Sequence, residues 1–369
     1  MSKPVELATK LLQETARDGK SVVLSPLSVS VALFVLYLAA DGTTKQQMTD
    51  VLGKKADESE VRLYFGKLIA AIKRENTNYT LSVANRLYVR QDSSTKPSFN
   101  RIINLYFREK LRSFDYRKTQ EVVQEINGWI SNETNNKITE MIRSDDINSL
   151  TRMLVLNAVY FKGTWEKQFI KSVTRDKPFH ISETETKNIP TMVAMNKFPY
   201  YEDNSVQVLK MPYIGDKLEM VLILPKIRFG LSNVLKNLTP RDFLKYVYQA
   251  VPTLMAVKLP KFRVEKKMNL KESLEKIGFT DMFNENANFQ ELTKDPIFVS
   301  NVMHAGFIEV DEKGTESGAA IMIDVIDRIA RKTVLFSVDQ PFLFAIVKDI
   351  TTVLFAGWID NVSNFKSVS

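Results

Sequence analysis

A chain of 369 residues, 44% hydrophobic and 25% charged, carries enough apolar content for a large core. It has no cysteine, which excludes disulfides, thiol nucleophiles and cysteine-based metal sites. Its net charge of +8 leaves acidic partners such as sulfated polysaccharide or nucleic acid open, although a soluble basic surface explains the charge more simply.

The first residues, MSKPVELATKLLQETARDGK, lack the apolar core of a signal peptide and read as an amphipathic helix. The expectation is a cytosolic protein or a mature form whose signal was removed. Helical spacing of apolar residues continues through 28–39, 58–74 and 120–142. Apolar runs such as FVLYLAA at 34–40 fall far short of the ~18 residues of a membrane span, so no membrane partner is expected. From about 151 the pattern changes to short β-like runs: RMLVLNAVYF, VQVLKMPY, LEMVLILP, LMAVKLPKF, and later TVLFSV, FLFAIV and TVLFAGW. One more helix is predicted at 268–278, MNLKESLEKIG. Helices first and strands later predict an α+β fold. No linker, repeat or low-complexity stretch divides the chain, which reads as one domain over 1–369.

Conventional catalysis finds little support. Only two histidines exist, His180 and His304, and a Ser-His-Asp triad must use one of them. In GTESG at 314–318 the serine stands one place too late for a nucleophile elbow. Zincin, P-loop and dinucleotide motifs are absent, so neither a metal nor a nucleotide is expected. Lysines and arginines are scattered, with no framework for nucleic acid.

Residues 312–336, EKGTESGAAIMIDVIDRIARKTVLF, are the most unusual stretch. Read as a strand, 315–326 sends alternate side chains to opposite faces. One set is Thr315, Ser317, Ala319, Ile321, Ile323 and Val325, small at first, then branched, without charge. The other set, Glu316, Gly318, Ala320, Met322, Asp324 and Ile326, holds both charges. Such a segment can enter a sheet with one face buried, where an unpaired charge would cost on the order of several kcal/mol. Directly after it comes DRIARKT, with arginines that suit a trypsin-like protease. An ordinary edge strand followed by a polar loop explains the local pattern equally well.

Four segments in order decide between these readings. SPLSVSVAL at 25–33, NAVYFKGTW at 157–165, HAGFIEVDEKGTESGAA at 304–320 and FSVDQPFLFAI at 336–346 resemble the serpins over essentially the full chain. The resemblance implies an α+β fold with three β-sheets, about nine helices and an exposed reactive-centre loop, here about 312–336. It implies a protease inhibitor, not an enzyme: a monomer that forms a covalent complex with a serine protease and inserts its cleaved loop into the central sheet. The hinge would be Gly314, Thr315, Glu316, Ser317, Gly318, Ala319 and Ala320, small and inhibitory in character. Counting fourteen residues beyond the hinge glycine puts the scissile bond at Arg328–Ile329, with Arg331 as the rival bait. Ser25, Ser28, Asn157 and His304 match the family's shutter, a polar cluster beneath the centre of the sheet. Trp165, Lys261 and Glu312 match its breach, where the loop first enters, with a Lys261–Glu312 salt bridge. No cofactor is required. A heparin-like polysaccharide on Lys67, Lys73 and Arg74 is the one candidate accelerator, and a solvated helix face explains those residues more simply. A carrier or chaperone of the same fold, or an inhibitor of papain-like cysteine proteases, is the alternative function. Trypsin-like targets favour an extracellular location over a cytoplasmic one.

Overall fold

The computed structural model describes residues 3–16, 21–53, 56–73, 78–108, 111–215, 217–312 and 333–360. The chain begins with α1 (Lys3–Thr15), β1 (Val22–Leu24), α2 (Pro26–Ala39), α3 (Gly42–Leu52) and α4 (Glu58–Ile72). Next come β2 (Tyr79–Arg90), α5 (Pro97–Phe107), β3 (Arg112–Phe114), α6 (Thr119–Glu133) and β4 (Met153–Gly163). The middle holds β5 (Arg175–His180), β6 (Thr186–Glu202), β7 (Val206–Pro212), β8 (Leu218–Pro225), α7 (Leu231–Asn237) and α8 (Pro240–Gln249). The last part runs through β9 (Val251–Pro260), β10 (Phe262–Asn269), α9 (Lys271–Lys276), β11 (Val299–Val310), β12 (Val334–Ser337), β13 (Phe342–Lys348) and β14 (Thr352–Ile359).

Helix α2 sits at the centre because its sequence, PLSVSVALFVLYLA, is apolar all round, and only Ser30 escapes full burial. Ser25 caps it by accepting the Ser28 N–H, and Pro26 fills a first-turn position whose N–H needs no partner. The predicted helix over 120–142 is shorter than its periodicity suggested. It ends at Glu133, because Asn135 and Asn136 adopt left-handed backbone (φ 52° and 58°) and the Thr134 hydroxyl bonds to the Ile130 carbonyl. The helix predicted over 268–278 shrinks to six residues, since β10 runs on to Asn269. Strand β2 lies inside the part of the chain that read as helical.

The strands pair into two ladders. One is five-stranded, in the order β10-β11-β4-β2-β3. Its inner face, with Val155 and Val302, packs on α2, and its outer face, with Leu156, Ala158 and Phe307, lies beneath Val122, Ile126 and Ile130 of α6. The other runs β1-β14-β13-β8-β7-β6-β9-β12, with β5 paired to β6. The three sheets expected from the sequence are met by this ladder's two halves, which meet at β6. That strand is 17 residues long; its last three residues pair with β7 and the rest with β5 and β9. Strand β1 crosses the inner face of the five-stranded sheet at Gly306, where a Cβ would stand 2.9 Å from the Val23 carbonyl oxygen.

Candidate functional site

The centre of the five-stranded sheet is a seam. Strands β4 and β11 run parallel and pair directly, from Val299 opposite Met153 to Ile308 opposite Phe161. Their outer neighbours, β2 and β10, pair with them antiparallel. The chain leaves the top of β11 at Val310, passes Asp311 and Glu312, and is next described at Thr333, where it joins β12 on the other ladder. A chain folding back from Glu312 into the seam would lie antiparallel to both walls. It would replace one parallel pairing by two antiparallel ones, the more stable kind per residue.

Two clusters hold the seam closed. The first lies at mid-height on the inner face. Asn157 stands opposite His304 across the seam and opposite Asn85 on its other side. Its amide donates to Asn85 Oδ1 (2.5 Å) and to the Ser28 hydroxyl. Its Oδ1 lies 2.5 Å from His304 Nδ1. His304 Nε2 accepts the Ser25 backbone N–H at 3.2 Å. The proton therefore sits on Nδ1 and is donated to Asn157. Burial pushes the His304 pKa down to about 3, so the ring is neutral at physiological pH. This arrangement offers no nucleophile: His304 bonds a serine backbone N–H, not a serine hydroxyl. The other histidine, His180, sits on β5 in the second ladder, its Nδ1 3.0 Å from the Thr186 hydroxyl.

The second cluster clamps the top of β11. Trp165 Nε1–H donates to the Asp311 carbonyl (2.9 Å), and its ring stacks on Tyr213 at 4.2 Å and 14°. Lys261 Nζ lies 2.8 Å from Glu312 Oε2, and the Thr174 hydroxyl donates to Oε1 of the same carboxylate at 2.8 Å. Burial alone would raise the Glu312 pKa; the bonds from Lys261 and Thr174 outweigh it and hold the carboxyl below its ordinary range. Both side chains are largely covered, at 16% and 7% exposure, so this is more than a surface ion pair. The Phe169 N–H adds a bond to the Glu312 carbonyl.

The structure thus brings Ser25, Ser28, Asn157 and His304 together at the first cluster, and Trp165, Lys261 and Glu312 at the second. Sequence reasoning missed Asn85, Thr174 and Tyr213. Asn85 alone left a signal, an amide in the middle of a strand, where asparagine is disfavoured. The hinge residues Gly314, Thr315, Glu316, Ser317, Gly318, Ala319 and Ala320, and the bait positions Arg328, Ile329 and Arg331, lie outside the described residues. Lys67 and Lys73, which helical spacing did not place on one face, both border an open groove between α4 and α5, beside Arg62 and Arg108. There Lys73 Nζ donates to the Phe107 carbonyl and Arg62 pairs with Glu58. Arg74 also lies outside the described residues. Among the described residues no group of three or more His, Asp or Glu is placed to hold a metal, and no helix is long and apolar enough to cross a membrane.

Comparison with known proteins points one way. Residues 2–362 match the family model described as Serpin (serine protease inhibitor). Serpin B6 of Macaca fascicularis is 33% identical over 360 residues, covering 95% of this chain and 96% of the relative. The leukocyte elastase inhibitor of Bos taurus is 33% identical over 354 residues, covering 91% and 92%. The structure of thyroxine-binding globulin in complex with thyroxine superimposes with a TM-score of 0.87 over 98% of both chains, at 24% identity, a likeness of fold.

Proposed function

The chain belongs to the serpin family, a family of protease inhibitors rather than enzymes, and we propose that it is a suicide-substrate inhibitor of trypsin-like serine proteases. The observation that carries this reading is the directly paired parallel seam, with the chain leaving from its top. The protease serine oxygen bonds to the Arg328 carbonyl carbon. The Arg328–Ile329 peptide bond breaks, and the Ile329 amine leaves with the serine proton. Arg328 stays behind as an ester on the protease. The freed segment then enters between β4 and β11 and carries the protease with it before water can hydrolyse the ester.

Lengths and chemistry support this assignment. Strand β11 has 12 residues and β4 has 11. A strand rises about 3.3 Å per residue, so the seam is about 40 Å long. The fourteen residues 315–328 extend about 46 Å and span it fully. Arg331 as bait adds three residues of slack. The uncharged set from Thr315 to Val325 suits the buried inner face, and Glu316 and Asp324 take the other. Tenfold preference for trapping over hydrolysis needs a barrier difference of about 1.4 kcal/mol. Arginine as bait fits the acidic specificity pocket of trypsin-like enzymes, and because these act mostly outside cells, the same reading favours an extracellular location over a cytoplasmic one. The cycle needs no cofactor and no second copy of the chain. A heparin-like polysaccharide would act only as an accelerator; elution from a heparin column near physiological salt would remove that role.

Mixing the protein with trypsin tests the reading. A denaturing gel should show a band near the summed masses, and mass spectrometry a released peptide that begins at Ile329. A clean cut without a complex overturns it and leaves a carrier of the same fold, or a target of another protease class. Arg328→Ala should abolish trypsin inhibition; retained inhibition assigns the bait to Arg331. Thr315→Arg should convert the inhibitor into a substrate, because a charge on the inner face stalls insertion.

A further inference from the structure

Lys162 belongs to the segment NAVYFKGTW at 157–165, yet neither cluster described above uses it. Alternation along β4 puts it on the outer face of the sheet with Leu156, Ala158 and Tyr160. Alternation along β11 puts Glu309 on the same face with Phe307, and Asp311 follows just past the strand's end. The register that sets Ile308 opposite Phe161 brings Glu309 beside Lys162 across the seam. Lys162 Nζ lies 3.9 Å from Glu309 Oε2 and 3.8 Å from Asp311 Oδ2, both longer than a hydrogen bond. The Glu309 side chain is only 9% exposed and has no other ion pair among the described residues. One ammonium thus serves two carboxylates on the opposite strand. Their uncompensated charge reaches Tyr160: burial pushes its pKa up, and Glu309 and Asp311 push the same way.

Parting the seam breaks this contact. Strands lie about 4.8 Å apart, so a new strand moves Lys162 about that much further from both carboxylates. Glu309 keeps a cation at hand, because Arg263 stands directly opposite it on β10, with its guanidinium 4.7 Å from the Phe307 ring centre. Lys162 has no such reserve on its own side, where it faces Thr80 of β2. We propose that Lys162 is a positioning residue that changes partners: it holds Glu309 and Asp311 in the closed seam and takes the first carboxylate of the entering chain in the open one. The open-seam half rests on the inhibitory reading above. The charged set of 315–326 brings Glu316 to this face near the top; that residue lies outside the described residues. Asp324, eight residues on, would stand about 26 Å lower. A slip of one residue would turn Glu316 to the inner face, so pairing with Lys162 selects the register that keeps charge out of the core.

Double-mutant cycles on the full-length protein, intact and nicked within 313–332, test the exchange. In the intact form, Lys162→Met and Glu309→Gln should be coupled, with the double variant melting about 2 °C away from the sum of the single shifts. In the nicked form that coupling should vanish, and Lys162→Met should couple with Glu316→Gln instead. Lys162→Arg, which keeps the charge, should behave as the parent chain in both forms. With trypsin, Lys162→Met and Glu316→Gln should each raise the ratio of cleaved protein to complex about threefold, and together no further. A side chain that only packs would give additive effects. Additivity of Lys162→Met and Glu316→Gln in a nicked protein whose melting temperature has risen overturns the exchange, as does coupling to Glu309 that survives nicking. A nick that leaves the melting temperature unchanged overturns the inhibitory reading, and the exchange with it. Additivity of Lys162→Met and Glu309→Gln in the intact protein overturns the closed-seam contact whatever the loop does, so the failures are told apart.

Discussion

The middle and the top of the β4–β11 seam are closed by opposite chemistry. At the middle, His304, Asn157, Ser25 and Ser28, fully buried, and the half-buried Asn85 form a neutral row of directional hydrogen bonds. At the top, an ion pair between Lys261 and Glu312 is backed by Thr174 and by Trp165 on the Asp311 carbonyl. The difference teaches where the seam would open first. A neutral row buried at mid-sheet must be broken as a unit, because each orphaned donor or acceptor there costs its desolvation. The charged pair borders the point where the chain leaves β11, and its side chains can follow water when it parts. Entry at the top and resistance at the middle are what a strand advancing from Glu312 would meet.

The largest effect that can break this comparison is His304→Ala. It leaves the Ser25 N–H and Asn157 Oδ1 without partners and opens a cavity, so denaturant unfolding should show a loss of about 4 kcal/mol. The same ring sets a pH signature. Its folded pKa, about 3, lies below the unfolded value near 6.5. The unfolded chain therefore takes up the proton first. Stability is complete above about pH 6.5 and falls as pH drops from there toward 3, by up to about 1.4 kcal/mol per pH unit. That slope should vanish in His304→Gln.

At the top, Lys261→Met should cost about 2 kcal/mol, since Glu312 keeps only Thr174 and its backbone contacts. Here the pH window is lower. The depressed pKa of Glu312 adds stability above about pH 4.3, lost as pH falls through the folded value. The variant should lack this acid-side loss while keeping the His304 slope. Unfolding titrations at three pH values separate the two; a single shared slope would merge the clusters into one. The smallest effect belongs to Trp165→Phe, which keeps the stack on Tyr213 but loses the bond to Asp311, about 1 kcal/mol. Hydrogen exchange should quicken at the top of β11 and stay unchanged at His304; equal quickening at both would contradict separate locks.

Much of this is legible in the sequence. The apolar run of α2 announced a buried helix, and the β-like runs after 151 became strands. The family resemblance placed seven of the cluster residues. What escaped was set by register. Asn85 meets Asn157 only because β2 pairs with β4 at one offset, and Thr174 meets Glu312 only because the segment before β5 crosses the end of β11. Periodicity tells which face a side chain takes, not which strand lies opposite. The stretch 120–142 reads as one helix because its apolar spacing continues past Glu133, but Asn135 and Asn136 turn the backbone left-handed.

The central claim is that the seam receives the chain beyond Glu312 once that chain is cut. The direct measurement is the melting temperature of the intact protein against protein nicked within 313–332 and freed of protease. Insertion of a new strand between β4 and β11 is expected to raise it by on the order of 10 °C or more. An unchanged or lower melting temperature after a clean nick would mean that the seam stays shut, and would contradict the account.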